Sequence, residues 1–159
     1  MNTILDLICN HTGLLILLYL LLTALLMVRR RRIENRIMQY LVLILWVIAT
    51  AYLAIFGRTP VMEVRCNLIP FRDGSLANIK DNVLLFVPLV PVLCGLFEKM
   101  TVKTAVFYGI LASVVIELAQ LISRRGICDI DDVLENSLGV LIGAGFLMLL
   151  GRLIRHTES

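Results

Sequence analysis

Long apolar runs separated by short charged segments dominate the chain. Four runs are near the length that crosses a bilayer, at 13–28, 38–57, 104–123 and 133–150. A fifth run, 82–97, is slightly short and contains Pro88 and Pro91, which should kink its helix and open space beside a neighbour. The pattern predicts an all-α, polytopic membrane bundle of about five transmembrane helices.

Polar side chains recur at helical spacing within the last two apolar runs. The first set lies on one face of the helix predicted over 104–123: Ser113, Glu117, Gln120 and Arg124. The second set follows the same spacing after a short loop: Asp132, Asn136, Gly139 and Gly143. The two glycines form the close-approach pattern of membrane helix pairs, so the two helices are predicted to pack as a hairpin. Counting the helix rise from the loop places Glu117 and Asn136 at a similar depth, where they should meet in a part-buried polar site.

Glu117 is the residue whose position most needs an explanation. It is surrounded by apolar residues, and a carboxylate held in hydrocarbon costs a few kcal/mol or more. Such residues usually face a bundle interior or a wet cavity and carry function, which makes Glu117 the candidate catalytic group if the protein is an enzyme. The competing interpretation is a satisfied network between helices, in which each polar contact is worth only about 1 kcal/mol.

The segment between the apolar runs at 38–57 and 82–97 supplies further candidate site residues. Pro60 ends the second helix, so Arg58 should lie at the outer rim, either snorkelling to headgroups or pairing with the acids of the last hairpin. The apolar stretch 67–71 is too short to span a membrane and is either a lid over the polar site or an anchor in the lipid interface. Asn82 either caps the third helix or faces the site.

Composition agrees with a membrane protein and excludes a nucleic-acid-binding domain. Hydrophobic residues make up 59% of the 159, and the mean hydropathy is +0.90, whereas a soluble domain is about 45–50% apolar. The net charge of +3 is divided among short loops, without a basic face. The cationic run 29–32 follows the first apolar run and predicts an outside amino end and a cytoplasmic carboxyl end. Most acids then fall on or near the outer side, so the polar site is predicted to face outward.

The common catalytic signatures do not occur in the sequence. There is no HExxH, Walker loop, GxSxG or Cys/His zinc spacing. Of the four cysteines, Cys66 and Cys128 both lie outside in the predicted topology. Whether these two form a disulfide stays open, because connectivity cannot be deduced from sequence.

Five short motifs occur in an order that resembles the VanZ-like membrane proteins. They are Arg-Thr-Pro at 58–60, Asn-Leu-Ile-Pro-Phe at 67–71, Asn-Val-Leu-Leu-Phe-Val-Pro-Leu at 82–89, Ile-Glu-x-x-Gln at 116–120, and Asp-Ile-Asp-Asp-Val-x-x-Asn-x-x-Gly-x-x-x-Gly at 129–143. The resemblance covers roughly 53–149. We therefore predict an added transmembrane anchor with a basic loop over 1–37 and a VanZ-like membrane domain over 38–159. The resemblance implies a multi-pass protein of the bacterial plasma membrane, some of whose relatives are associated with resistance to teicoplanin and related lipoglycopeptides.

Three functions stay open at this point. The first is a non-enzymatic resistance or envelope factor, without a cofactor, that contacts membrane lipids and binds or masks a lipid-linked cell-wall component. The second is a membrane enzyme acting on a lipid headgroup or phosphate, with a divalent cation held by Asp129, Asp131 and Asp132 and with Glu117 as base. The third is a structural polar network without a ligand. The predicted ligand-binding set is Arg58, Asn67, Phe71, Asn82, Glu117, Gln120, Arg124, Asp129, Asp132 and Asn136, with the choice between Arg124 and Arg125 open.

Overall fold

Helices make up most of the structure, as the apolar runs predict. The computed structural model describes residues 33–52, 60–61, 66–71 and 79–157. Its elements, in chain order, are α1 (Ile33–Ala51), β1 (Cys66–Asn67), α2 (Ile79–Phe86), α3 (Leu89–Leu96), α4 (Val102–Ser123), β2 (Cys128–Asp129) and α5 (Ile130–Thr157). The predicted first span at 13–28 lies outside the described residues, so the count of five transmembrane helices stays a prediction.

In the part of the chain that the structure describes, two helical segments are long and apolar enough to cross a membrane, Val102–Ser123 and Ile130–Arg152. They correspond to the predicted runs at 104–123 and 133–150, and each begins slightly earlier than predicted. Two shorter apolar helical segments, Arg36–Ala51 and Asp81–Leu96, accompany them.

The distribution of side chains is the reverse of that in a soluble protein. Large apolar side chains on the outer faces of α1, α4 and α5 are exposed, and Ile122 is the extreme case at 82%. In contrast, Glu117 and Gln120 of α4 are buried. Soluble monomers rarely expose apolar surface on this scale, whereas a lipid bilayer requires it. The burial pattern therefore supports the membrane assignment independently of helix length.

The third predicted helix is broken at its prolines. α2 ends at Phe86, and α3 begins at Leu89 after Pro88. Pro88 has no N–H group, so the helical hydrogen-bond ladder is interrupted there. Pro91 likewise cannot donate to the Val87 carbonyl oxygen, four residues earlier. The predicted kink is confirmed.

α5 approaches the broken helix through two glycines one turn apart. A Cβ atom built on Gly139 would overlap the carbonyl oxygen of Val83, and one built on Gly143 would overlap that of Val87. No side chain fits at either position, so the helix backbones are in direct contact. The space expected beside the kink is thus occupied by α5. The prediction that these glycines serve the contact between the last two helices was wrong, because they face α2 and the start of α3.

The last two long helices do form the predicted hairpin, through other residues. Asn136 Nδ2 on α5 donates to Ser113 Oγ on α4 at 2.9 Å. Val140 packs against Gly109 one turn deeper. These pairings run in opposite directions along the two helices, which are therefore antiparallel.

A two-residue strand pair closes the turn of this hairpin and was not predicted. Cys66 pairs with Cys128, and Asn67 pairs with Asp129, in parallel register. Strands of two residues are too short to show an alternation of apolar and polar positions, so the sequence carries no signal for them.

α1 packs beside α2 and α3. Trp46 Nε1 donates to the Leu85 carbonyl oxygen at 2.7 Å, and its ring meets that of Phe86 edge-on. Arg36 near the start of α1 forms an ion pair with Glu98, which follows α3. These contacts attach α1 to the broken helix along its length.

Candidate functional site

Buried polar side chains collect where the α4–α5 hairpin turns. They are Ser113, Glu117 and Gln120 of α4, Asp132, Glu135 and Asn136 of α5, and Asn67 of β1. Three of these residues are carboxylates within or beside apolar, lipid-facing helices. Because burying a charged group between such helices is costly, their hydrogen-bond partners decide what the cluster can do.

Asn82 joins α2 to two carboxylates of α5. Its Nδ2 donates to Asp132 Oδ1 at 2.8 Å and to Glu135 Oε2 at 2.7 Å. The two acids are three residues apart on one helix and so lie on the same face. Because α2 begins at Ile79, Asn82 lies inside the helix, and the interpretation of Asn82 as a helix cap was wrong.

Asp129 caps the amino end of α5. Its Oδ1 accepts a hydrogen bond from the backbone N–H of Asp131 at 3.0 Å, which is the usual bond of an N-cap residue. The backbone N–H of Asp129 in turn donates to Glu117 Oε2 at 3.0 Å. Glu117 is 3% exposed, and its carboxylate holds the hairpin turn from the α4 side through this hydrogen bond.

The prediction that Glu117 and Asn136 lie at a similar depth was wrong by one helical turn. Asn136 donates to Ser113, one turn deeper in the hairpin than Glu117. Moving one turn back along both helices places Asp132 level with Glu117. This difference of one turn arises because β2 runs in extended form beside the last turn of α4. α5 therefore begins level with that turn and not at the end of the hairpin. The prediction counted the same helix rise on both sides of the turn and so left out the extended residues of β2.

The segment 66–71, which we call the rim loop, is bound to the same turn by its polar atoms. Asn67 Nδ2 donates to the carboxylate of Asp129 at 3.3 and 3.4 Å, and Asn67 Oδ1 accepts from the Ile69 N–H at 3.3 Å. The Phe71 N–H donates to the carboxylate of Asp131 at 2.9 and 3.1 Å. The rim loop therefore lies at the mouth of the buried cluster.

The apolar side chains of the rim loop point away from the buried polar cluster. Leu68, Ile69 and Phe71 are all exposed, Phe71 by 70%. Phe71 also has a φ of 58°, a left-handed conformation that is strained for an aromatic residue and that the bond to Asp131 helps to hold. This exposure favours the interpretation of the loop as an anchor in the lipid interface over its interpretation as a lid.

The three aspartates proposed as metal ligands have separate partners. Asp129 caps α5 and holds Asn67, whereas Asp131 and Asp132, adjacent on a helix, point about 100° apart and accept from different elements. Within 33–52, 60–61, 66–71 and 79–157, no three His, Cys, Asp or Glu side chains are grouped so as to hold a metal ion. The described residues therefore do not form the predicted divalent-cation site.

Gln120 and the two arginines lie at the last turn of α4. Gln120 is buried, and its backbone carbonyl accepts from the Arg125 N–H at 3.1 Å. Arg124 is exposed and ends α4 with a φ of 53°, and its carbonyl accepts from the Val61 N–H at 2.9 Å. Arg125 is half-buried, so it is the less exposed of the two arginines. Arg58 lies outside the described residues, and its place at the rim stays a prediction.

Glu135 is the site residue that the sequence reasoning missed. It follows Asp132 by three residues and shares its face, so the helical spacing that singled out Asn136 also applies to it. A carboxylate in the apolar run at 133–150 also raises the same question of cost as Glu117. Both signals were present in the sequence.

Comparison with known proteins agrees with the motifs. The family model described as VanZ/LLP1 matches residues 37–151, which begins earlier than the resemblance in the motifs and includes most of α1. The protein named Protein VanZ from Enterococcus faecium is 30% identical over 94 residues, which are 58% of this chain and 56% of that protein. The chain thus spans little more than half the length of this relative. No solved structure matches the chain significantly. Because the family model matches well over half of the chain, the chain belongs to the VanZ/LLP1 family.

Proposed function

We propose that this protein is a non-enzymatic factor of the bacterial plasma membrane that contributes to resistance against teicoplanin and related lipoglycopeptides. In this proposal the polar cluster at the α4–α5 turn faces outward and binds the polar head of a lipid-linked cell-wall component. Binding masks that component from the drug. Membership of the VanZ/LLP1 family supports the proposal, since some VanZ-like proteins are associated with teicoplanin resistance.

The observation that carries the proposal is the group formed by Asn82, Asp132 and Glu135. One amide donates to two carboxylates that belong to another helix and are almost completely buried. Hydrogen bonds between membrane helices are worth on average about 0.6 kcal/mol. A buried carboxylate costs a few kcal/mol. As a means of holding helices together the group is therefore unfavourable, which supports a role in binding.

The chemistry of the group indicates what kind of head it would accept. Carboxylates are hydrogen-bond acceptors, so they suit a head that presents amide N–H and hydroxyl groups, such as a sugar that carries a peptide. The exposed apolar faces of α4 and α5 would lie beside the lipid tail of the same molecule. Arg58, predicted at the rim, would meet a phosphate that links head and tail.

The outward orientation can be tested with a cysteine that the rim loop already contains. Cys66 is exposed at the mouth of the cluster. We expect a membrane-impermeant maleimide to label it in intact cells, using a Cys9→Ser, Cys128→Ser background. These two replacements remove the other thiols that are predicted outside and leave Cys66 without a cysteine partner. Labelling of Cys66 only after the membrane is permeabilised would overturn the outward orientation, and with it the proposed encounter with a wall component.

Drug susceptibility tests the binding role. The chain is expressed in a susceptible bacterial host, and the minimal inhibitory concentration of teicoplanin is measured for the wild type, Asn82→Leu and Leu141→Ala. Leu141 is exposed on α5, away from the polar face, and serves as the matched control. We expect Asn82→Leu to lose the protection and Leu141→Ala to keep it, at equal amounts in the membrane. Equal protection by both variants would count against the proposed site.

A further inference from the structure

Two cysteines face each other across the strand pair that fastens the rim loop to the hairpin. Cys66 of β1 and Cys128 of β2 are register partners in a parallel pair. Neighbouring strands lie about 4.7–4.9 Å apart, which is inside the range of Cα separations that a disulfide bridges. The Cys66 side chain lies close enough to Cys128 to raise the pKa of the Cys128 thiol. The two sulfur atoms are therefore already neighbours.

The surroundings of the two thiols differ. Cys66 is exposed, whereas Cys128 is half-buried. Burial and the nearby Cys66 side chain raise the pKa of the Cys128 thiol to about 12. An external reagent therefore reaches Cys66 first. Because the thiolate is the attacking species, the raised pKa of Cys128 makes its attack on a mixed disulfide at Cys66 the slower step.

We propose that Cys66 and Cys128 are a disulfide-forming pair, and that their oxidation locks the rim loop onto the turn between α4 and α5. The pairing follows from the strand register and is independent of whether the site binds a wall component. The disulfide attaches the rim loop covalently at Cys66, next to Asn67, in addition to the hydrogen bonds of the loop.

The oxidant required is a disulfide, either a small molecule or a thiol–disulfide exchange protein, written RSSR. The sulfur of Cys66 attacks RSSR, forms a mixed disulfide and releases one RSH, which carries away the Cys66 proton. The sulfur of Cys128 then attacks the Cys66 sulfur, breaks the mixed disulfide and releases the second RSH with the Cys128 proton. The two cysteines are oxidised by two electrons in total, and RSSR is reduced to two thiols.

The locked state has a structural consequence. In the reduced protein the rim loop is held by the strand pair and by bonds to Asp129 and Asp131. These bonds lie near the surface and can open locally. Oxidation removes that freedom at Cys66 and so keeps the exposed side chains of Leu68 and Phe71 at the rim.

The test uses the full chain purified in detergent. The protein is reduced, passed through a desalting column, incubated with oxidised glutathione, quenched in acid and alkylated, and then analysed by mass spectrometry with and without digestion. We expect the wild type to lose two alkylatable thiols and to give one cross-linked peptide that contains Cys66 and Cys128. The Cys9→Ser control should give the same cross-link, whereas Cys66→Ser and Cys128→Ser should not.

Two results would overturn the inference. One is a wild-type protein in which Cys66 accumulates bound glutathione, or stays alkylatable, while Cys128 remains a thiol. The other is a cross-link that joins either residue to Cys9 or Cys94. Because the decisive measurement is made on the wild-type chain, a variant that fails to fold does not affect it. The result is also separate from drug susceptibility, so it can fail without the proposed function failing, and the reverse.

Discussion

Replacing Gly143 by alanine is expected to force α5 away from the broken helix that it contacts. A Cβ atom at this position would overlap the Val87 carbonyl oxygen and would lie 3.0 Å from the Val87 carbonyl carbon and 3.4 Å from Pro91 Cδ. The first two neighbours belong to the backbone, so no side-chain rotation relieves the overlap. The helices themselves have to separate.

The magnitude follows from these distances. Restoring an ordinary carbon–carbon contact of about 3.5–4.0 Å to the Val87 carbonyl carbon needs roughly 0.5–1 Å. The carbonyl oxygen is closer still, so the backbones must separate by more than this. Overpacking of this kind costs about 1–3 kcal/mol. Alanine is the better helix former by about 0.5–1 kcal/mol, which offsets part of the loss.

Gly145 provides the matched control for that offset. A Cβ atom built on Gly145 has no neighbour within 4 Å, so Gly145→Ala gains helix propensity without an overlap. We expect thermal unfolding in detergent to give a Tm for Gly143→Ala that is roughly 2–10 °C below that of Gly145→Ala. Equal Tm values for the two variants would show that α5 does not contact the broken helix through Gly143.

Three further predictions concern the polar contacts. Glu117→Gln keeps the shape of the side chain and an acceptor for the Asp129 N–H but removes the charge. We therefore expect normal amounts of the protein in membrane fractions together with loss of teicoplanin protection. Loss of the protein itself would indicate a structural role. Ser113→Ala and Asn136→Ala, combined in a double-mutant cycle of unfolding free energies, should show a coupling of about 0.6 kcal/mol, up to about 1.7; a coupling of zero would contradict the observed bond. Asp131→Ala removes the acceptor that holds the end of the rim loop, so chymotrypsin should cut within 66–71 faster than in the wild type, and an unchanged rate would contradict that tether.

The helices were predictable because their signals are local. Each apolar run marks its own span, and Pro88 marks the break by removing a backbone donor. The spacing of Ser113, Glu117 and Gln120 placed them on one face, and all three are buried. These predictions depend only on residues within a few turns of one another.

The contacts of the rim loop were not predictable, because they join segments that are far apart in sequence. Asn67 meets Asp129, and the Phe71 amide meets Asp131, through single hydrogen bonds between a side chain and a distant partner. A sequence shows that Asp129 and Asp131 are acidic but not which donors reach them. A cluster of acids therefore suggested a metal site where the structure shows a helix cap and a loop tether. The partner of the glycine pair was missed for the same reason, since the spacing indicates a close approach but not which helix approaches.

The central claim is that the group of Asn82, Asp132 and Glu135 exists to bind a ligand. It is tested most directly by removing polar partners together and measuring Tm and teicoplanin susceptibility for Asn82→Leu, Glu135→Leu and the double variant. A single replacement leaves a buried polar group with fewer partners, whereas a buried apolar pair need not be destabilising. The account predicts that the double variant regains stability relative to Asn82→Leu, which leaves both carboxylates without the amide, and that it stays fully susceptible to the drug. A double variant that is both stable and fully protective would contradict the claim and would identify the group as a structural network.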